Sequence, residues 1–226
     1  MGSAADGRDS IASQVIDEHH WPDMRVLILV ANRAQKETSS TDGMQRSVAT
    51  SPLLAHRAAQ LVEPRMAAME QALHARDFSS FARLTIQDSN NFHACCLDTY
   101  PPIIYLNHTS QHVIASLTTI NSLEGEGQEV AAYTFDAGPN AVVYCLEKDV
   151  TALLALFKAL YGEGESEGWV YDPMGLVAGG VHGVGGVKAE WLEACGKSKR
   201  EGVKVHQVIV SRIGGGAEIT GRSHTF

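Results

Sequence analysis

At 226 residues with 44 % apolar side chains, the chain can fold as one large domain or two small ones around an ordinary hydrophobic core. Its 26 acidic against 18 basic side chains leave a formal net charge of −8, which argues against broad attraction to nucleic acid or an anionic membrane surface. No apolar run approaches the roughly 20 residues needed to cross a bilayer, MGSAADGRDS has no apolar signal core, and the cysteines, Cys95, Cys96, Cys145 and Cys195, suggest no disulfide framework. A soluble protein of a reducing compartment is expected.

Residues 25–31, RVLILVA, form a short apolar run bounded by polar residues, the pattern of a buried strand. Residues 36–50, KETSSTDGMQRSVAT, are small, polar and glycine-containing, and predict a loop that presents hydroxyls and backbone N–H groups. Ser51-Pro52 then reads as an N-cap followed by proline at the first helical position, and Leu53, Leu54, Ala58, Leu61 and Val62 recur at helical spacing. Met66, Met69, Leu73, Phe78, Phe81 and Leu84 continue the stripe past Pro64, with a break near Asp77-Phe78.

In 88–102 small and polar residues replace the stripe, and Pro101-Pro102 force the helix to yield. A further helix is expected over 103–120, with Gly125 and Gly127 in the loop beyond it. Residues 129–135 and 141–146 read as adjacent strands around the turn 136–140. Asp149 is placed to cap a helix carrying Val150, Leu153, Leu154, Phe157 and Leu160. Residues 162–202, rich in glycine, predict a surface excursion of low packing density with a helical hint at 189–194, and 203–212 predict a last strand. The sum is an α+β fold in which an antiparallel sheet is covered on one face by helices, with 1–226 as one domain.

The turn at Asp136 is the most informative segment. A carboxylate at a strand end, followed by small residues and a fixed proline, can be held rigidly against a ligand; the plainer alternative is a turn aspartate bonded to amides two residues on. YTFDAGPNAVV resembles the segment of mevalonate diphosphate decarboxylases found where related kinases of their superfamily carry a glycine-rich loop. The resemblance extends, in the family's order, to ADGRDSIASQV at 5–15, HWPDMRVLILV at 20–30, Ser40-Thr41-Asp42-Gly43-Met44, DSNNFHACCLDTYPPIIYLN at 88–107 and the strand near Val208. Agreement is poor only over about 162–202.

The resemblance implies a ferredoxin-like carboxy-terminal domain of that superfamily, with the amino-terminal ATP-binding domain missing. It implies ATP-dependent decarboxylation of mevalonate 5-diphosphate to isopentenyl diphosphate, with ATP and Mg2+ as cofactors, a homodimer and a cytosolic location. Asp136 matches the family's catalytic aspartate, Ser40 its substrate-contacting serine, and Thr41 lies beside it in the same loop as a further substrate-binding candidate. The alternatives are a small-molecule kinase of the superfamily or a non-catalytic binding or dimerisation module. His93 with the adjacent Cys95 and Cys96 does not make a zinc pattern, His108 and His112 lack the glutamate of a metalloprotease, and Gly214-Gly215-Gly216 lacks the rest of a phosphate loop.

Overall fold

The structure, a computed structural model, describes residues 8, 11–32, 40–162, 168–177, 179, 186–196 and 202–215. Its frame is a five-stranded sheet of β1 (Met24–Val30), β2 (Ala132–Phe135), β3 (Ala141–Leu146), β4 (Val170–Tyr171) and β5 (Gln207–Arg212), in the order β2-β3-β1-β5-β4. The first four neighbours pair antiparallel as expected, but β4 joins β5 in parallel, so the sheet is mixed.

Strand alternation decides what each face does. Leu27 lies opposite Val143 and Val210, and Leu29 opposite Ala141 and Val208, and this row enters the main core. α5 (His108–Glu124), α6 (Glu147–Tyr161) and α7 (Ala189–Gly196) close that core with Val113, Leu117, Leu153, Phe157 and Trp191. On the other face Val26, Ile28 and Val142 remain half-buried. A second cluster joins Trp21, Met24 and Ala132 to α3 (Val62–Ala75) and α4 (Phe78–Asp98) through Ala72, Phe78 and Phe81. Helices therefore cover both faces, not one.

Local chemistry explains most boundaries. Ser51 caps α2 (Pro52–His56) by accepting from Leu54 N–H, with Pro52 in the first turn. α2 passes through a π-helical turn at Arg57–Leu61 into α3; Pro64, which has no donor and crowds the carbonyl four residues back, follows that wider turn without ending the helix. Arg76 takes the left-handed conformation (φ 54°) to end α3, and Asp77 caps α4 by accepting from Ser80 N–H.

Four expectations need correction. The predicted loop holds α1 (Ser40–Thr50), whose buried face is made of Gly43 and Ser47 and so leaves no apolar stripe. The helix expected from 103 starts at His108, because Asn107 and Ser110 form a reciprocal cap there. α6 starts at Glu147 with Leu146 at its cap position, which puts Asp149 inside the first turn. Within 162–202, the described Trp169, Val177, Trp191 and Cys195 belong to the main core and are not surface. No described helix is long and apolar enough to cross a membrane.

Candidate active site

The turn 136–140 is fastened from three directions. On the α4 side, Phe135 N–H donates to Ser89 Oγ at 3.2 Å, and His93 Nε2 lies 3.3 Å from the Phe135 carbonyl. From α5, Ser110 Oγ donates to the Pro139 carbonyl at 2.8 Å. At the end of β1, the N–H groups of Ala31 and Asn32 both donate to Asn140 Oδ1, at 2.9 and 3.0 Å. Within the turn, Gly138 N–H donates to the Asp136 carbonyl at 2.8 Å. Asp136 itself is exposed. The result is a solvent-facing carboxylate on a backbone with its neighbouring hydrogen bonds satisfied.

Beside this turn lies an almost wholly apolar cavity of about 390 Å³ bounded by α1, α4, the extended stretch 103–105 and Ala137. α1 approaches Tyr105 so closely that a Cβ at Gly43 would stand 2.6 Å from its Oη. Burial pushes the Tyr105 phenol above its ordinary value; the nearby Cys96 and Asp136 add to that shift, while Arg46 opposes it. Burial holds His93 below the usual imidazole range, partly offset by its bond to the Phe135 carbonyl and by the Asp136 charge. The His93 ring meets Phe92, Tyr105 and Phe135 edge to face. Burial also pushes the Cys96 thiol up to about 11.

Of the residues singled out from sequence, Asp136 is exposed and adjoins Ala137, which lines the cavity. Ser40 opens α1, its side chain lying outside the described residues, and Thr41 is exposed in the helix's first turn. α1 and the Asp136 turn border one cavity, which brings the two predicted segments together. Sequence reasoning missed Ser89, Tyr105, Ser110 and Asn140, and considered His93 only as a metal ligand. The spacing of Ser89 and His93, four residues apart on one helix, is a usable signal only once β2 is known to lie beside them.

Among the described residues no group of three or more His, Cys, Asp or Glu side chains could hold a metal ion, and all four cysteines are buried and free. A second cavity, of about 450 Å³ between α3, α4 and the outer sheet face, carries Arg57, Arg65 and Asp88 in its wall. There Arg57 grips Asp88 with two bonds of 2.6 and 2.7 Å and Arg65 adds a third at 3.0 Å. One carboxylate thus pairs with two guanidinium groups.

A mixed sheet covered by helices on both faces, with an acidic hairpin turn beside an apolar cavity, defines an α+β domain. The profile described as Mevalonate 5-diphosphate decarboxylase C-terminal domain matches residues 26–220, and the chain belongs to that family. It is 44 % identical over 224 residues to the diphosphomevalonate decarboxylase of Ganoderma lucidum, covering 98 % of this chain and 54 % of that protein. The solved mevalonate diphosphate decarboxylase from Trypanosoma brucei superposes with a TM-score of 0.86 at 30 % identity, over 99 % of this chain and 57 % of that one. A further solved relative, described as MDDEF in complex with MVAPP, AMPPCP and Magnesium, matches with a TM-score of 0.57 at 25 % identity, over 63 % of this chain and 42 % of that one. The chain spans about half the length of these relatives.

Proposed function

We propose that the chain is the substrate-activating part of an ATP-dependent diphosphomevalonate decarboxylase, converting mevalonate 5-diphosphate to isopentenyl diphosphate. The observation that carries this reading is the exposed Asp136 carboxylate on a turn fastened by Ser89, His93, Ser110 and Asn140. Asp136 orients the tertiary hydroxyl of the substrate and takes its proton. General-base help of this kind contributes about 10²- to 10⁴-fold, and orientation adds to it. ATP supplies the phosphoryl group that makes the tertiary oxygen a leaving group. After its departure the carboxylate bond breaks to release carbon dioxide, and the Asp136 charge favours the electron-poor carbon formed between these events.

The diphosphate end needs donors. Ser40 and Thr41 open an 11-residue helix, whose dipole favours an anion at that end, and this supports their assignment to the substrate diphosphate. The solved relative in complex with AMPPCP and magnesium supports ATP and Mg2+ as participants in the family's reaction. Family likeness supports a cytosolic homodimer. A second reading is a non-catalytic module that keeps the fold.

The test is to incubate the chain with ATP, Mg2+ and mevalonate 5-diphosphate, alone and with the amino-terminal half of that relative, following phosphate and carbon dioxide. Release of both, abolished by Asp136→Ala, is the expected result. Release that survives the substitution overturns the assignment, phosphoryl transfer without carbon dioxide points to a kinase, and silence in both arms favours the module.

A further inference from the structure

β2 is the edge strand of its sheet, and its outer side meets a helix instead of another strand. An edge strand offers unpaired N–H and C=O groups, and α4 satisfies both of those on Phe135 with two side chains spaced one helical turn apart. Ser89 Oγ accepts from the N–H at 3.2 Å, and His93 Nε2 meets the carbonyl at 3.3 Å. A carbonyl can only accept, so the His93 proton resides on Nε2. The bonded carbonyl is half of the peptide unit whose other half is the Asp136 N–H. The next unit is held as well, because the Asp136 carbonyl accepts from Gly138 N–H at 2.8 Å. With the peptide planes on both sides of its Cα tied, the direction in which the Asp136 side chain leaves the backbone is set.

We infer that His93 is a positioning residue for Asp136, with Ser89 as its partner, so that α4 acts as a clamp aiming the carboxylate at the substrate hydroxyl. This rests on the reading of Asp136 as the proton-accepting group. A purely structural histidine would stabilise the fold and leave the turn indifferent to the bond. A positioning histidine couples the Nε2 donor to the order of the turn and to turnover. The edge-to-face packing of its ring among Phe92, Tyr105 and Phe135 suits that task, since it fixes the plane in which Nε2 points.

The experiment compares His93→Leu, which keeps bulk and removes the donor, with His93→Gln, whose Nε2 reaches a similar point and can donate. In the 226-residue chain, backbone ¹⁵N relaxation should give rigid amides at 136–138 in wild type and His93→Gln. In His93→Leu the order parameters there should fall from about 0.85 toward 0.6 or below, with the rest of the sheet unchanged. An equally rigid turn in His93→Leu overturns the inference. In the two-part decarboxylation assay, His93→Leu should lower kcat roughly 10- to 100-fold with KM little changed, and His93→Gln should recover most of the loss. Loss of activity in Asp136→Ala with none in His93→Leu also overturns the clamp. An Asp136→Ala protein that still turns over overturns the functional reading instead, and the relaxation measurement then decides the clamp by itself.

Discussion

Adding one methyl group at Gly43 should have opposite effects in two backgrounds. Gly43 is buried within α1, and a Cβ there would lie 2.6 Å from Tyr105 Oη, about 0.8 Å inside the 3.4 Å at which ordinary contact begins. The Tyr105 ring, half-buried, meets His93 edge to face with centroids 6.5 Å apart and lines the cavity beside α1, so the added methyl group must displace it. Overpacking of this sort costs about 1–3 kcal/mol, while replacing glycine by alanine in a helix contributes about 0.5–1 kcal/mol the other way. Gly43→Ala should therefore destabilise the protein by about 0.5–2 kcal/mol, or about 2–4 °C in Tm per kcal/mol for a chain of this size.

Removing the hydroxyl by Tyr105→Phe leaves Ile103 Cδ1 at 3.4 Å and the ring carbon at 3.8 Å as the nearest atoms. In that background the same change should stabilise by about 0.5–1 kcal/mol. Urea titration of the four proteins gives the coupling directly, expected at about 1–3 kcal/mol. A coupling within about 0.3–0.5 kcal/mol of zero, the range found for independent sites, would refute the argument that this glycine is required by close approach.

Two further predictions test the packing around the site. The Arg57 and Arg65 bonds hold the Asp88 carboxyl below its ordinary value of 3.8. Its depressed folded-state pKa makes its contribution fully present above the ordinary value and progressively lost as pH falls through the folded one. Asp88→Asn should lower stability by about 1 kcal/mol at pH 7, since the carboxylate is substantially exposed, and the gap to wild type should narrow in denaturation series taken below pH 3.8. Trp191 is fully buried, donates from Nε1 to Glu124 Oε1 at 2.8 Å and carries the Lys188 ammonium 4.1 Å from its ring centre. Trp191→Ala should cost about 3–5 kcal/mol by thermal or urea denaturation, and a loss below 1 kcal/mol would contradict its place in the core.

Much of the architecture is legible along the chain because its causes are local. Short apolar runs mark β1 and β3, and the caps at Ser51 and Asp77 stand next to the helices they start. The turn between β2 and β3 follows from aspartate, alanine, glycine, proline and asparagine in succession. Asp136 is conspicuous for the same reason: the acid and the residues that shape its turn are neighbours in sequence.

What sequence could not determine depends on contacts between distant segments. α1 packs through Gly43 and Ser47, which register as loop residues until Tyr105 and Thr99 are brought against them. Trp169 and Trp191 look like outliers in a glycine-rich stretch, yet the tertiary fold carries both into the core. His93 is 42 residues from the carbonyl it holds, and Asn140 more than 100 from the amides it receives. Periodicity reports which face of an element is apolar; only the folded chain decides which small or polar side chain meets which backbone group, because those bonds are set by distance in space.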